Sequence, residues 1–328
     1  MRTRLTLALL ALLAVASGGC TTLAQDPAPV ATGPAYTDYA DDFVAFYDRT
    51  EGLPLDDRVA AFKAQIAPLF PAFYAPRDGR TQEDVDRAIA SAIEGFPKIR
   101  DRYMEAMAEF PEAYATARVH FSETFPDSDA QLPTWFIHSL GEMDGGTRTL
   151  NGTEALVFGA DGIAKYHTPG DLRAFFDHEL FHVEHGAYFT ECEPIWCSLW
   201  SEGLATAAAE QLNPGTGDAA LMLEVPRPIR PAVDAHWLEA VCLVQTQTGS
   251  TDRATYKSMF YGNGGTDLFP PRWGYYVGYR LAQRVLHDHT LVELAHMPHE
   301  EAQPLVARTL AAMVDEAGGC DPLGSEMP

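Results

Sequence analysis

Asp177-His178-Glu179-Leu180-Phe181-His182 carries the densest chemistry in the chain. Two histidines four residues apart share one face of a helix and can both turn a ring nitrogen towards a single Zn²⁺. Glu179 is offset from them by about 100° around the helix and can reach a water on such an ion as general base. A catalytic zinc site takes three protein ligands and keeps one position open, so a third donor is needed. The candidates that follow are Glu184, His185, Glu191, Glu193 and Glu202. His185 stands seven residues past His178, about 10.5 Å along a helix axis. With Zn–N bonds of about 2 Å, three rings strung along one straight helix do not converge on one ion. His185 is therefore expected beside the site or at its rim, which leaves Glu184, Glu191, Glu193 and Glu202, the last at the start of a new helix.

The elements that must hold these residues are readable in outline. Thr168-Pro169-Gly170-Asp171 has the form of a helix start, with Thr as cap, Pro at the first helical position and an acid soon after. Leu172, Phe175, Phe176, Leu180 and Val183 supply an apolar stripe at helical spacing. The alanine run after Glu202 predicts a helix from Ser201 onward. Before the motif, Thr134-Trp135-Phe136-Ile137-His138 and Ala155-Leu156-Val157-Phe158-Gly159 read as strands, with Asp144-Gly145-Gly146 and Asn151-Gly152 as turns. Together they predict a small antiparallel sheet, whose edge could hold an extended peptide by main-chain hydrogen bonds or could merely cover the helix.

From Tyr36 to about Phe121 the pattern is helical. Tyr39, Phe43, Phe46 and Tyr47 form one stripe, and Val59, Phe62, Ile66 and Leu69 a second. Thr81 opens a third helix with a capping-box pattern, and Pro97 and Pro111 bound a fourth. Later helices are expected over residues 232–247, 275–287 and 304–316. The fold class is α+β, mainly helical.

Glu202 lies 20 residues after His182, and here the sequence resembles the gluzincin metallopeptidases, in which a Glu on the following helix completes the zinc site. Trp200-Ser201-Glu202-Gly203-Leu204-Ala205 is similar to the W-x-x-E-G-x-A segment of gluzincin aminopeptidases, with one residue fewer between Trp and Glu. Gly274-Tyr275-Tyr276-Val277-Gly278-Tyr279 contains Y-x-x-G, similar to their Y-x-K-G, although the Lys is absent. The resemblance implies a gluzincin-like zincin core and gives the oxyanion-stabilising role to Tyr275, with Tyr276 and Tyr279 competing for it. A metzincin would carry Gly at 185 and His at 188, where this chain has His185 and Tyr188. The G-x-M-E-N element that captures an amino terminus is missing. The combination looks closer to a bacterial group of predicted zinc-dependent proteases, many of them exported, over roughly residues 132–290.

Composition sets the wider limits. The 328 residues carry a formal net charge of −23, which argues against nucleic acid and against acidic membrane surfaces as partners. Arg2 and Arg4 followed by an apolar run from Leu5 to Ala16 read as a secretory signal over residues 1–24. Ala16-Ser17-Gly18-Gly19-Cys20 resembles a lipobox, with Ser17 where Leu is usual, which implies a lipid on Cys20 and an outer-membrane lipoprotein facing the periplasm; otherwise an ordinary signal is cut after Ala24 and the protein is soluble, periplasmic or secreted. Residues 25–35 read as a flexible tether, 36–130 as a helical N-terminal region and 131–328 as the catalytic region.

Cys192, Cys197, Cys242 and Cys320 allow three disulfide pairings in an oxidising compartment. The pairing expected is Cys192 with Cys197, closing a short loop, and Cys242 with Cys320, tying down the C-terminus. The function expected is zinc-dependent peptide-bond hydrolysis with a peptide or protein substrate, Zn²⁺ held by His178, His182 and Glu202, and Glu179 and Tyr275 acting in catalysis. The rivals are a zinc hydrolase of an ester or cell-wall amide and a non-catalytic zinc-binding lipoprotein.

Overall fold

The computed structural model describes residues 36–128, 132–170 and 172–320. The expected signal, Cys20 and the tether lie outside the described residues, as does Asp171. The chain opens with β1 (Thr37–Asp38) and runs through α1 (Ala40–Arg49), α2 (Leu55–Gln65), α3 (Pro71–Tyr74), α4 (Gln82–Gly95) and α5 (Arg100–Thr124). Three strands follow, β2 (Thr134–Ile137), β3 (Thr147–Leu150) and β4 (Thr153–Gly159), then α6 (Ala160–Tyr166) and the motif helix α7 (Leu172–Gly186). The remainder is helical: α8 (Ile195–Leu212), α9 (Arg230–Asp234), α10 (Trp237–Gln247), α11 (Arg253–Phe260), α12 (Trp273–Val285), α13 (Leu291–Ala295) and α14 (His299–Ala317). The class is α+β and mainly helical.

The sheet has the order β1-β2-β4-β3 and is mixed. The Asn151-Gly152 turn folds β3 and β4 into an antiparallel hairpin, both turn residues taking positive φ. β2 instead runs parallel to β4, and β1 parallel to β2. The antiparallel expectation fails because the orientation of β2 depends on the loop that leaves it. That loop is held by the buried Asp161, which accepts from the Ser139 and Gly141 amides and from the Ser139 hydroxyl. No local pattern announces such a clamp.

The N-terminal helices share this core. Phe110 of α5 stacks on Phe136 of β2 at 3.9 Å and meets Phe176 of α7 edge-on at 5.0 Å. Burial of that face lets α5 run unbroken through Pro111, where the sequence predicted a boundary. The lost backbone donor costs about 3 kcal/mol in a helix interior, and the stack of Phe110 and Tyr114 against sheet and motif helix offsets it. The Thr81–Asp84 capping box forms as expected. α7, by contrast, begins at Leu172 without Thr168 as its cap, after a turn in which the Gly170 amide donates to Glu109 Oε1 at 2.8 Å.

α8 starts six residues before Ser201, behind Pro194. Two of its first amides find acceptors far away in sequence: Ile195 N–H donates to Ser250 O and Trp196 N–H to Thr248 O. The expected helix over 232–247 is split into α9 and α10, while α12 and α14 match the expected later helices with shifted ends. Both disulfides pair as expected, Cys192 with Cys197 and Cys242 with Cys320.

α8 and α12 pack backbone to backbone. A methyl group on Gly203 would lie 2.1 Å from the Gly278 carbonyl carbon, and one on Gly278 would lie 2.2 Å from the Leu199 oxygen. Only glycine at both positions allows this crossing. Gly203→Ala or Gly278→Ala should therefore destabilise the protein by about 1–3 kcal/mol or more, since overpacking outweighs the helix propensity gained. Urea unfolding measures this, and an unchanged or higher midpoint would contradict the crossing.

Candidate metal centre

α7 is buried on almost every side, including its charged residues Asp177, His178, Glu179, Glu184 and His185. Each such group needs a partner, because an unmatched buried polar group costs about 1–3 kcal/mol. The partners fix the rotation of the helix. Asp177 Oδ2 accepts from Asn213 Nδ2 at 2.7 Å, and Asn213 sits at the C-terminal end of α8. Glu184 binds His296 Nε2 at 2.7 Å and accepts from the Ser128 hydroxyl. His185 Nδ1 donates to the Ala295 carbonyl at 2.8 Å. With Asp177 and Glu184 turned elsewhere and His185 held at the wall, His178, Glu179 and His182 face a cavity of 1080 Å³.

In that cavity α7 meets Glu202, which lies in the interior of α8 and not at its start. His178 Nε2 and His182 Nε2 are 3.0 Å apart. Glu202 Oε2 is 3.2 Å from the His182 nitrogen and 3.4 Å from the His178 nitrogen. Three donor atoms thus converge on one point, and this trio could hold a metal ion. The separations of 3.0–3.4 Å lie near the roughly 3.3–3.4 Å that separates the ligands of a tetrahedral ion with bonds of about 2.0–2.1 Å, such as Zn²⁺. Two imidazole nitrogens and a carboxylate oxygen are also a donor set that zinc accepts.

The electrostatics follow from burial and crowding. Burial pushes the His178 imidazolium down to about 4. Burial acts the same way on His182, but the Glu202 carboxylate prevails and lifts it to about 9. Glu202 is also desolvated, yet its two histidine partners hold it well below the ordinary carboxylate range. Burial raises Glu179 to about 8; the His182 charge opposes the rise, and those of Asp144 and Glu202 add to it. The trio thus favours a cation at its centre, while Glu179 beside it has a raised affinity for a proton.

Of the other candidates for the third ligand, Glu191 and Glu193 are exposed and outside the cavity. His185 lines the cavity wall without joining the donor trio. Among the three tyrosines of α12, Tyr275 lines the cavity, its ring nearly parallel to that of His178 at 6.4 Å between centroids. Tyr276 turns away to Asp234 at 2.8 Å, and Tyr279 to Gln283 at 2.6 Å.

Four further residues shape the site without having been marked in the sequence. Asn213 ties α8 to α7, and its Oδ1 accepts from Arg173 Nε at 2.6 Å. Asp144 bonds the buried His167 at 2.8 Å and anchors the loop that crosses Glu179. At Gly145 that loop leaves no room for a side chain, since a methyl group would sit 2.5 Å from the Phe175 ring and 3.1 Å from Glu179 Cγ. Arg272 caps α12 and lines the same cavity. Asp144-Gly145-Gly146 was legible only as a turn.

Replacing His178 or Glu202 by Ala should lower divalent-metal affinity by more than the roughly 10–100-fold that outer-shell changes cost. His185→Ala should leave metal stoichiometry at the wild-type value. Competition with a chromophoric chelator measures both, and loss of metal in the His185 variant with retention in the other two would overturn the assignment.

The chain matches no protein-family model, no curated protein and no solved structure among those compared.

Proposed function

We propose that this chain is a zinc-dependent metallopeptidase that hydrolyses peptide bonds, of gluzincin type by its resemblance in sequence. The observation that carries the reading is the convergence of His178 Nε2, His182 Nε2 and Glu202 Oε2 within 3.4 Å of one another, beside the buried Glu179. Zinc held there would supply a Lewis acid for the scissile carbonyl and lower the pKa of a water towards about 7.

The chain's own residues carry the proton and the charge. Glu179 takes a proton from the attacking water and returns it to the leaving amine nitrogen. The Tyr275 hydroxyl has no hydrogen-bond partner among the described residues and donates to the developing oxyanion. Three protein donors, where a structural zinc site takes four, support catalysis over a purely structural role.

A peptide is favoured over a simple ester by β3. It is one of the two edge strands of the sheet, and Thr147 and Arg148 at its start line the cavity. An extended chain laid there gains main-chain hydrogen bonds that an isolated ester lacks. The two disulfides are those of an oxidising compartment. Among the described residues no helix is long and apolar enough to cross a membrane. With the sequence signals, this favours an exported enzyme tethered by a lipid on Cys20.

Glu179→Gln should keep its zinc and lose hydrolysis by about 10²–10⁴-fold. Tyr275→Phe should lose about 10²–10³-fold, as for one oxyanion donor, while Tyr276→Phe stays near wild type. Digestion of an unbiased peptide library, with chelator and zinc add-back, reads all three. Full activity in Glu179→Gln would sink the mechanism. For the tether, Cys20→Ser should move the protein from the membrane to the soluble fraction, and an unaltered distribution would refute it.

A further inference from the structure

The cleft holds a cation that neither the metal trio nor the proton transfer uses. Arg272 lies at the N-terminal cap of α12 with φ 66° and ψ 14°. This left-handed backbone is uncommon for a residue with a side chain. Its carbonyl accepts the Tyr275 amide at 3.0 Å, so the main chain is fixed by the helix it caps. The guanidinium rests over the Tyr275 ring, 4.4 Å from its centroid.

No carboxylate lies within 4.0 Å of it among the described residues. That is notable in a chain with 46 acidic and 23 basic residues, where carboxylates are abundant. Arg148, which lines the same cavity, faces Glu142 at 3.6 Å, and Lys165 is exposed at the rim. Arg272 is half-buried, and its charge is felt by Asp144, His178 and Tyr275. A fixed positive charge beside a divalent-cation site opposes the ion, so Arg272 does nothing for metal binding. It is placed to meet an anion entering the cleft, and its planar fork suits a carboxylate bound by two parallel hydrogen bonds.

The distance sets where on the substrate that anion lies. The guanidinium is 4.4 Å from the Tyr275 centroid, which is 6.4 Å from that of His178. The metal trio is therefore within the span of about three extended residues. We propose that Arg272 receives a substrate carboxylate one to three residues from the bond cleaved, so that the enzyme selects peptides with a free C-terminus or an acidic side chain there. For the reaction itself this rests on the metallopeptidase reading, but recognition of the carboxylate can be measured without turnover.

The test uses the full mature chain with zinc in the Glu179→Gln background, and titration calorimetry with an N-acetylated pentapeptide of leucine, phenylalanine and alanine. The peptide is supplied as free acid, as C-terminal amide, and as amide with one internal aspartate. The free acid or the aspartate peptide should bind at least about 10-fold tighter than the plain amide. Preference for the first identifies the chain end as the source of the carboxylate, and preference for the second the side chain. Adding Arg272→Gln should abolish the difference, and Arg272→Lys should keep part of it, which separates recognition from a folding defect. Equal binding of all three peptides, binding of none at millimolar concentration, or a preference that survives Arg272→Gln overturns the proposal. Wild-type turnover of the same peptides tests the metallopeptidase reading separately: carboxylate-selective binding without chelator-sensitive hydrolysis would sink that reading and leave Arg272 as an anion-recognising residue.

Discussion

The backbones of α8 and α12 touch at Gly203 and Gly278, and the geometry of the site depends on that contact. Glu202 directly precedes one glycine, and Tyr275 lies three residues before the other, on the same face of its helix. Bringing the helices together without side chains between them sets both residues into the wall of one cavity. At an ordinary interaxial distance of about 8–10 Å, side chains would stand between the helices and push Tyr275 away from the metal trio. The glycines are thus positional requirements of the site, although neither touches a ligand atom.

The second constraint is the burial of the motif helix. A helix with five buried polar or charged side chains depends on the groups that match them. The matches lie in different directions: Asn213 from α8 for Asp177, His296 and Ser128 for Glu184, and the Ala295 carbonyl of α13 for His185. They act like guy-lines on the rotation of α7, so the remaining face presents His178, Glu179 and His182 together. Asn213 carries a double duty. It ties the helix bearing the two histidines to the helix bearing Glu202, and thereby fixes the separation of the three donors.

Electrostatics then divides the site by function. Glu202 and His182 form a charge pair beside the neutral His178, and a metal cation held there would take the place of the His182 proton. Glu179, one residue along α7, is displaced by the helical pitch from that centre and lies under the Gly145-Gly146 loop, where burial raises its proton affinity. The same helix therefore supplies ligands on one side and a proton acceptor on the other. Arg272, over the Tyr275 ring in the same cavity, adds a positive charge placed to meet an anion.

What the sequence determined by itself is what depends on near neighbours along the chain. The four-residue spacing of His178 and His182 already implied a shared face, the Thr81 capping box and the Asn151-Gly152 turn formed where they were read, and the short Cys192–Cys197 loop closed as expected. Setting His185 aside needed only the rise of a helix and the length of a metal–ligand bond, while Glu202 was singled out by resemblance in sequence. What tertiary structure decided was every feature whose partner is distant. The direction of β2 follows from Asp161, the early start of α8 from acceptors at Thr248 and Ser250, and the passage of α5 through Pro111 from aromatic packing on β2 and α7. Tyr275 was separated from Tyr276 and Tyr279 only by the way α12 is rotated against α8. Periodicity and capping are local and appear in a short window of sequence. Helix rotation, strand direction and the satisfaction of buried polar groups are set by atoms far apart in the chain, and they become fixed only when the core closes around them.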